Sequence, residues 1–262
     1  MKIAIIGAGN LGKALATGFV NSGFPPENIT ATRRNITAIK DLSDLGISAT
    51  DNNLEASQRA DIILLAVKPY NYNAVLDEIL PALGKPNKIL ISVVSGVGLA
   101  ELKTKVPNSL PVFRAMPNTA SDVNESLTCI SHLGEEKKSL DTVCTFFNTV
   151  GRTVEIDESL MDSATVLGAC GIAYVMRFIR AMVQGGIEIG FDAQTASAIV
   201  QQTVKGAASL LQERNNHPES EIDKVTTPKG CTIAGLNEME HHGFSSALIK
   251  GLKASMKQID EN

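Results

Sequence analysis

The sequence predicts two domains of different fold class: a doubly wound α/β domain over residues 1–156 and an all-α domain over residues 157–262. Three observations support this division. Short β-rich runs alternate with helical patterns through the first half, which is typical of a parallel sheet covered on both faces. A glycine-rich turn follows the first of these runs directly. After Asp157 the strand signals disappear, and the chain reads almost wholly as helix.

The predicted sheet begins with parallel strands at residues 2–6, 29–32, 47–49, 62–67, 89–93 and 112–115. Residues 62–67 are apolar at both alternating sets of positions, as a buried central parallel strand should be. Two further β-like runs, 127–131 and 153–156, flank a predicted helix over 135–147 and extend the sheet.

The second half is predicted to form helices at residues 158–168, 172–190, 192–212 and 233–258, with Asp192 as an N-cap. Apolar residues occupy much of the circumference of the second and third of these helices, which indicates that they are covered on several sides. A small helical domain offers few such sides. We therefore expect a homodimer through this domain, or a higher homo-oligomer. Packing of the helices on the sheet domain of the same chain is the alternative.

The turn after the first strand reads Gly7-Ala8-Gly9-Asn10-Leu11-Gly12, the pattern of a Rossmann-like dinucleotide site. Gly7 allows a sharp turn, Gly9 lets the backbone approach a pyrophosphate, and Gly12 lets the next helix pack on the sheet. With Asn10 and Leu11, these residues are predicted to bind the cofactor at a helix N-terminus. An ordinary tight turn is the alternative.

The end of the second strand indicates which dinucleotide is bound. An NAD-selective site has an acid roughly 20 residues after the turn. Here Thr32 is followed by Arg33 and Arg34, whose guanidinium groups can pair with a 2′-phosphate. NADP(H) is therefore the preferred cofactor and NAD(H) the second, while a solvated arginine pair is the alternative. Asn53 is predicted to reach the adenosine end or to cap the following helix.

Composition restricts the partners. The net charge is −4 without long single-sign runs, which disfavours nucleic acid and anionic membranes. Cysteine and histidine lack metal-ligand spacing, so we expect no metal and reduced thiols in a cytoplasmic protein. We see neither a signal peptide nor a membrane-spanning apolar run. A small-molecule substrate is favoured.

Three further stretches carry a family resemblance: Ala66-Val67-Lys68-Pro69, residues 113–119 and residues 225–236. With the glycine-rich turn, they resemble the motif set of pyrroline-5-carboxylate reductase along nearly the whole chain. The resemblance implies hydride transfer from NAD(P)H to the C=N carbon of 1-pyrroline-5-carboxylate, a cyclic imino acid, which gives L-proline in proline biosynthesis. It also implies cofactor contacts from Ala66, Val67, Lys68, Met116, Pro117 and Asn118, the last of which also contacts the substrate.

The same resemblance places substrate binding before the last predicted helix, at Thr227-Pro228-Lys229-Gly230-Cys231-Thr232. Lys229, Gly230, Cys231 and Thr232 form the implied carboxylate site, because a helix N-terminus offers free N–H groups. The Thr232 hydroxyl is the first choice for a catalytic contact with the ring nitrogen, and an N-cap is its alternative role.

Several residues depart from the family pattern. Lys229 stands at a usual glycine, residues 169–174 read Ala-Cys-Gly-Ile-Ala-Tyr in place of Gly-Ser-Gly-Pro-Ala-Tyr, and Asn215 stands where an acid is often found. Lys68 and Arg114 could each add positive potential near an anionic substrate. As alternatives, Lys68 could only cap its strand, and Arg114 could be a structural ion-pair partner. Structural or solvated roles are expected for all four histidines.

Two other functions stay open. A β-hydroxyacid dehydrogenase would share the domain order but needs a lysine where Arg177 stands, and arginine is too basic to exchange protons near neutral pH. A non-catalytic NADP-binding protein would keep the glycine turn and lose the substrate loop.

Overall fold

The computed structural model describes residues 1–261 and divides into two compact units, one of residues 1–172 with the C-terminal residues from Ile259 and one of Ala173–Gln258. The segment 157–172 therefore packs with the sheet unit, whereas the sequence groups it with the helical domain. The first unit is built on one eight-stranded sheet of order β3-β2-β1-β4-β5-β6-β7-β8. Its strands are β1 (Ile3–Ile6), β2 (Ile29–Thr32), β3 (Ser48–Thr50), β4 (Ile62–Leu65), β5 (Ile89–Ser92), β6 (Val112–Met116), β7 (Ser126–His132) and β8 (Gly151–Glu155).

Strands β1 to β6 are parallel, β7 is antiparallel to β6, and β8 is parallel to β7. The chain leaves β1 toward β2 on one side and returns to β4 on the other. The connections from these two neighbouring strands diverge at their carboxyl ends, which opens a crevice there. The predicted doubly wound sheet is present, and the reversed direction of β7 and β8 is an addition that the sequence pattern does not specify.

Helices cover both faces of this sheet. They are α1 (Asn10–Asn21), α2 (Lys40–Asp44), α3 (Asn53–Arg59), α4 (Tyr72–Leu83), α5 (Leu99–Lys105) and α6 (Lys137–Asn148). One core cluster joins the sheet to α1, α2 and α6, where the Phe19 and Phe146 rings stack at 4.1 Å. The other cluster joins it to α3, α4 and α5. The two clusters explain why strands such as β4 are buried at every position.

A buried lysine fixes α3, the helix that borders the crevice. The Lys88 ammonium donates to the carbonyl oxygens of Ser57, Gln58 and Ala60 at the C-terminal end of this helix. These carbonyls have no partner within the helix and lie at the negative end of its dipole, so the cation stabilises the helix end. Burial lowers the pKa of Lys88.

The connection between the two units is not the simple helix predicted over 158–168. A 3₁₀ turn (Glu158–Leu160) leads into α7 (Met161–Ala164) and then into a π-helical turn (Thr165–Cys170), which runs directly into α8 (Gly171–Glu188). Short π-helical turns are frequent at functional positions.

The second unit contains α8 and four further helices: α9 (Ala193–Arg214), α10 (Pro218–Val225), α11 (Cys231–His241) and α12 (Phe244–Asp260). The Asp192 carboxylate accepts from the Gln194 and Thr195 amides, so the predicted N-cap is confirmed. The single helix predicted over 233–258 is wrong. It breaks at Gly243, whose φ of +76° lies in the left-handed region that glycine adopts readily. The sequence reading also missed α10.

The helical unit leaves much apolar surface uncovered. Its buried cluster consists of Val183, Ala196 and Val200, whereas Met176 and Ile189 are 62% and 78% exposed. By length and composition alone, the helical run Glu158–Glu188 is apolar enough to cross a membrane, and 11% of its most apolar window is buried. One such helix is weak evidence for a membrane span, because helices that pack against protein pass the same test.

Candidate active site

The glycine-rich turn has the geometry that a dinucleotide needs. Gly7 adopts φ +95°, and a Cβ at this position would lie 2.7 Å from Val67 Cγ1. A Cβ at Gly12 would lie 2.9 Å from the Gly7 carbonyl oxygen, so α1 packs directly on the turn. A Cβ at Gly9 would meet nothing within 4 Å. Gly9 therefore leaves open space in front of the turn.

Helix α1 begins with this turn and keeps its N-terminus open. Gly9 is the N-cap, has no side chain to bond the first amides, and is followed by no acid in the first turn. The amides of Asn10, Leu11 and Gly12 therefore have no partner within the helix and carry its partial positive charge. Together with the space beside Gly9, these amides fit a pyrophosphate.

An open groove of about 410 Å³ joins the turn to the ends of β2 and β4. It brings together most of the predicted cofactor residues, namely Gly7, Gly9, Arg33, Arg34, Asn53, Ala66, Val67 and Lys68. Lys68 is exposed, and its carbonyl oxygen accepts from the Asn71 amide in the turn before α4. These separated motifs therefore lie together at one edge of the sheet.

The two arginines differ in their contacts. Arg33 Nη1 donates to the Ala8 carbonyl oxygen at 3.2 Å, so this side chain is tied to the glycine-rich turn. Arg34 is exposed beside the groove. Both guanidinium groups remain next to the end of β2, where a 2′-phosphate would lie.

Asn53 is not the N-cap of α3. Asn52 holds that position and accepts from the Glu55 amide at 2.9 Å. The Asn53 side chain instead accepts from the Thr32 hydroxyl at 2.6 Å and donates to Glu78 at 2.8 Å. These two bonds hold the Asn53 side chain beside the groove, and its role at the adenosine end stays a prediction.

The residues at the end of β6 are buried, and Asn118 is held by two side-chain hydrogen bonds. Asn118 is 7% exposed, accepts from the Ala120 amide at 3.0 Å and donates to the Gly168 carbonyl oxygen at 3.3 Å. Asn118 thereby links the end of β6 to the π-helical turn. Met116 is 4% exposed. Met116, Pro117 and Asn118 lie at the carboxyl end of β6 and do not line the 410 Å³ groove.

Arg114, two residues before Met116, is a structural ion-pair partner. It is 4% exposed, and its Nη1 donates to Glu158 Oε1 at 2.7 Å, while its Nη2 lies 3.7 Å from Asp162 Oδ1. The same Glu158 oxygen accepts from the Leu99 amide. These contacts fasten the segment before the π-helical turn to the sheet, so of the two roles considered for Arg114 the structural one describes its contacts.

The predicted substrate loop is a tight turn in front of α11. The Gly230 amide donates to the Thr227 carbonyl oxygen at 2.9 Å, and Lys229 adopts φ +60°. Since the ring of Pro228 fixes its φ near −65°, a positive φ at the next residue makes this a type II turn. That turn favours glycine at the position of Lys229. A Cβ at Gly230 would lie 2.5 Å from Thr227 Oγ1, so Gly230 is required by the close approach.

Helix α11 presents an open N-terminus after this turn. Gly230 is its N-cap and provides no side-chain bond, so the alternative role of Thr232 as an N-cap is wrong. Cys231 and Thr232 are exposed in the first turn, and in the described part of the chain no hydrogen bond of the Thr232 hydroxyl is seen. The loop thus offers free amides, a hydroxyl and a lysine on the same short segment.

A charged cluster on α10 precedes the loop. Glu221 accepts hydrogen bonds from Asn216 and Lys224, each at 2.6 Å, and from Arg214 at 2.9 Å. These bonds lower the pKa of Glu221 to about 2, the Asn216 bond contributing most. Glu221 is therefore ionised throughout the neutral range and fixes the residues around Asn215, which the sequence reading marked as a departure.

Three of the four histidines make local polar contacts of the structural kind that was predicted. His217 caps α10 by accepting from the Glu219 amide, while His132 and His242 each lie 3.1 Å from a glutamate. Among residues 1–261, no cluster of three or more His, Cys, Asp or Glu side chains could hold a metal ion. Free thiols are found at all four cysteines.

Four residues that line the groove were missed by the sequence analysis, namely Asn35, Tyr70, Asn71 and Val75. Tyr70 is 82% exposed on the groove rim, and Val75 lines the groove from α4. Tyr70 follows Lys68 and Pro69 directly, so its position after the carboxyl end of β4 could have predicted that it lies at the groove. Val75 and Glu78 lie on the next helix, and the sequence shows no local sign of their placement.

Models of known families match both halves of the chain. A model described as pyrroline-5-carboxylate reductase dimerisation matches residues 158–262, and one described as NADP oxidoreductase, coenzyme F420-dependent, matches residues 2–96. Pyrroline-5-carboxylate reductase 2 of Dictyostelium discoideum is 41% identical over 99% of this chain and 92% of its own length. The chain belongs to the pyrroline-5-carboxylate reductase family.

Other relatives agree with this membership. Pyrroline-5-carboxylate reductase 1 of Dictyostelium discoideum is 44% identical over 97% of this chain, which spans about half, 48%, of that relative's length. The crystal structure of Plasmodium falciparum pyrroline carboxylate reductase, with NADP bound, is 28% identical and superposes with a TM-score of 0.88, covering 99% of this chain and 97% of that one.

Family membership confirms the predicted fold of a Rossmann-like sheet domain and a helical dimerisation domain, and the predicted NAD(P)H-dependent oxidoreductase. The prediction of NADP as cofactor agrees with the matching family model and with the NADP-bound Plasmodium enzyme. The family assignment supports neither the β-hydroxyacid dehydrogenase nor the non-catalytic alternative.

Proposed function

We propose that this protein reduces 1-pyrroline-5-carboxylate to L-proline, with the 410 Å³ groove binding the cofactor and the turn Thr227–Thr232 binding the substrate carboxylate. The observation that carries the substrate assignment is this turn. It ends in the uncapped N-terminus of α11 and sets a lysine beside two exposed side chains with no acid in the first helical turn. Such an arrangement attracts a small anion.

The bound cofactor, NAD(P)H, supplies the hydride that reduces the C=N carbon. The protein residues supply binding and orientation. The Gly9 turn and the first amides of α1 hold the pyrophosphate, and Ala66, Val67 and Lys68 line the path of the cofactor beyond it. Met116, Pro117 and Asn118 are proposed to border the nicotinamide.

The substrate loop binds through three kinds of group. The amides of Cys231 and Thr232 donate to the carboxylate, and the Lys229 ammonium adds positive potential. The Thr232 hydroxyl accepts a hydrogen bond from the protonated ring nitrogen and steadies that proton while the carbon is reduced. Asn118 retains one amide N–H after its bond to Gly168, and this N–H is proposed to contact the substrate.

The selectivity for NADPH over NADH is assigned to Arg33 and Arg34. Each can give charge-assisted hydrogen bonds to a 2′-phosphate, which NADH lacks. Thr32 stands where an acid would repel that phosphate.

The helical unit is proposed to form a homodimer, with higher homo-oligomers built on it. An apolar groove of about 530 Å³ in this unit is lined by side chains of α8 and α12, including Tyr174, Phe178, Phe244 and Leu248. Covering such surface is the main driving force for subunit association. Sedimentation equilibrium tests this proposal, and a monomer at micromolar concentration would contradict it. We also propose a cytoplasmic location, which the four free cysteines support.

The central experiment is a spectrophotometric assay of NADPH oxidation with 1-pyrroline-5-carboxylate. We expect turnover by the wild type and a loss of about 10- to 100-fold in kcat for Thr232→Ala, because a hydrogen bond to the reacting nitrogen is removed. Thr232→Ser keeps the hydroxyl and should retain most of the activity.

One result would overturn the proposed reaction, and another would overturn only the role of Thr232. Absence of turnover by the wild type would reject the substrate. Equal activity of Thr232→Ala and the wild type would leave the substrate assignment intact and remove Thr232 from the chemistry.

A further inference from the structure

Three consecutive hydrogen bonds connect the glycine-rich turn to a glutamate on α4. The Gly7 amide donates to Thr32 Oγ1 at 3.2 Å, the Thr32 hydroxyl donates to Asn53 Oδ1 at 2.6 Å, and Asn53 Nδ2 donates to Glu78 Oε2 at 2.8 Å. The four groups come from separate segments of the chain. We call this series the Gly7–Glu78 relay.

The direction of every bond in the relay is fixed by its two ends. A backbone N–H can only donate, and an ionised carboxylate can only accept. Thr32 must therefore use its single proton on Asn53, and Asn53 must turn its NH₂ group to Glu78 and its oxygen to Thr32. Without the carboxylate, the Asn53 amide has no group that selects this orientation over the flipped one.

The surroundings of the relay restrict its movement. Thr32 is 1% exposed, so its hydroxyl has little access to water as a substitute partner. Asn53 opens α3, whose other end is held by the buried Lys88 ammonium. Val75, one turn before Glu78 on α4, lines the cofactor groove together with Asn53. The relay thus runs along one side of the groove.

We propose that Glu78 is a positioning residue for the dinucleotide: through Asn53 and Thr32 it fixes the amide of Gly7 and with it the glycine-rich turn. The turn binds the part of the cofactor that NADPH and NADH share. Glu78 therefore acts on both cofactors equally, in contrast to Arg33 and Arg34. This inference rests on the proposed cofactor groove and is independent of the substrate assigned to the enzyme.

A simple charge effect predicts the opposite result. Glu78 carries a negative charge beside Asn53, which lines the same groove as the arginines that are assigned to the 2′-phosphate. If that charge were its only influence, its removal would tighten NADPH binding and leave NADH binding unchanged. The two explanations therefore differ in the sign of the effect on NADPH.

The test compares three variants in the full-length protein. Glu78→Ala removes both the acceptor and the charge. Glu78→Gln removes the charge and keeps an oxygen that can accept from Asn53. Asp77→Ala removes the same charge one residue away, from an exposed side chain outside the relay. Dissociation constants for NADPH and NADH, KM for each cofactor, kcat and the thermal midpoint are measured for all three.

We expect Glu78→Ala to weaken binding of NADPH and NADH by the same factor, about fivefold, as the loss of one hydrogen bond implies. Its kcat at saturating cofactor should match the wild type. Glu78→Gln should lie within about twofold of the wild type, and Asp77→Ala should be unchanged. Asn53→Ala combined with Glu78→Ala should lose little more than Asn53→Ala alone, because both act through one chain of bonds.

Three outcomes would overturn the proposal. These are tighter NADPH binding in Glu78→Ala, equal losses in Glu78→Ala and Glu78→Gln, and a lower kcat with unchanged KM. A fourth outcome, a lower thermal midpoint with unchanged cofactor affinity, would also overturn it, because Glu78 would then have a purely structural role. Since cofactor binding is measured directly, a failure here is distinguishable from a failure of the substrate assignment, which affects only turnover.

Discussion

Helices α1 and α11 have similar N-termini, but the turns that precede them differ. Each follows a glycine N-cap with no side-chain bond and has no acid in its first turn. Before α1, the left-handed residue is Gly7, and its turn is bonded to the end of β2 through Thr32. Before α11, the left-handed residue is Lys229, in an exposed turn closed by one backbone bond.

This difference fits the two proposed uses of these helix N-termini, cofactor binding at α1 and substrate binding at α11. The turn at Gly7 is a rigid part of the sheet domain, and its conformation costs little because glycine adopts positive φ freely. The turn at Lys229 keeps a side chain in a conformation that costs roughly 1 kcal/mol outside glycine. We infer that the charge of Lys229 is retained for substrate binding in spite of this cost.

The largest effect is expected from a matched pair of alanine substitutions in the first turn. Gly12→Ala places a Cβ 2.9 Å from the Gly7 carbonyl oxygen, so α1 must shift. We expect a loss of about 1–3 kcal/mol in the free energy of unfolding, as for overpacked sites, and strongly weakened NADPH binding. Gly9→Ala meets no protein atom within 4 Å and should unfold like the wild type, yet bind NADPH weakly because its Cβ enters the pyrophosphate space. Denaturant unfolding and NADPH titration measure both quantities.

If Gly9→Ala bound NADPH as tightly as the wild type, the space beside Gly9 would not be the pyrophosphate site. If Gly12→Ala were as stable as the wild type, the contact of α1 with the turn would be more adaptable than its distance indicates.

An intermediate effect is expected from the arginines at the rim of the first turn. Arg34→Ala should raise KM for NADPH about tenfold and leave KM for NADH unchanged, because a charge-assisted bond to the 2′-phosphate is lost. Arg33→Ala should also raise KM for NADH slightly, since Arg33 donates to the Ala8 carbonyl oxygen. Steady-state kinetics with both cofactors separate the two roles. Equal changes for NADPH and NADH in Arg34→Ala would reject the 2′-phosphate contact.

The sequence was informative where the signal is local. The turn Gly7–Gly12, the arginines after β2 and the residues after β4 each follow a strand directly, and parallel strands bring their carboxyl ends to one edge. Glu78 could not be found in this way, because its contact with Asn53 depends on the packing of α4 against α3. The break at Gly243 was missed because glycine inside an apolar helical pattern is often tolerated.

The smallest effects are expected at Lys229, where stability and binding should change in opposite directions. Lys229→Gly removes the strain of a side chain at positive φ, but it also makes the unfolded chain more flexible. Because the two effects oppose each other, we expect a gain of at most about 1 kcal/mol in the free energy of unfolding. Lys229→Asn tolerates the same φ and should leave the free energy of unfolding nearly unchanged.

Both variants lose the ammonium group. Both should therefore raise KM for 1-pyrroline-5-carboxylate by about three- to tenfold with little change in kcat, as expected for an interaction that is present in the ground state and the transition state alike. Lys229→Arg keeps the charge and serves as the control for KM. An unchanged KM in the glycine and asparagine variants would show that the lysine is kept for a reason other than substrate charge, and the comparison of the two helix N-termini would then rest on their free amides alone.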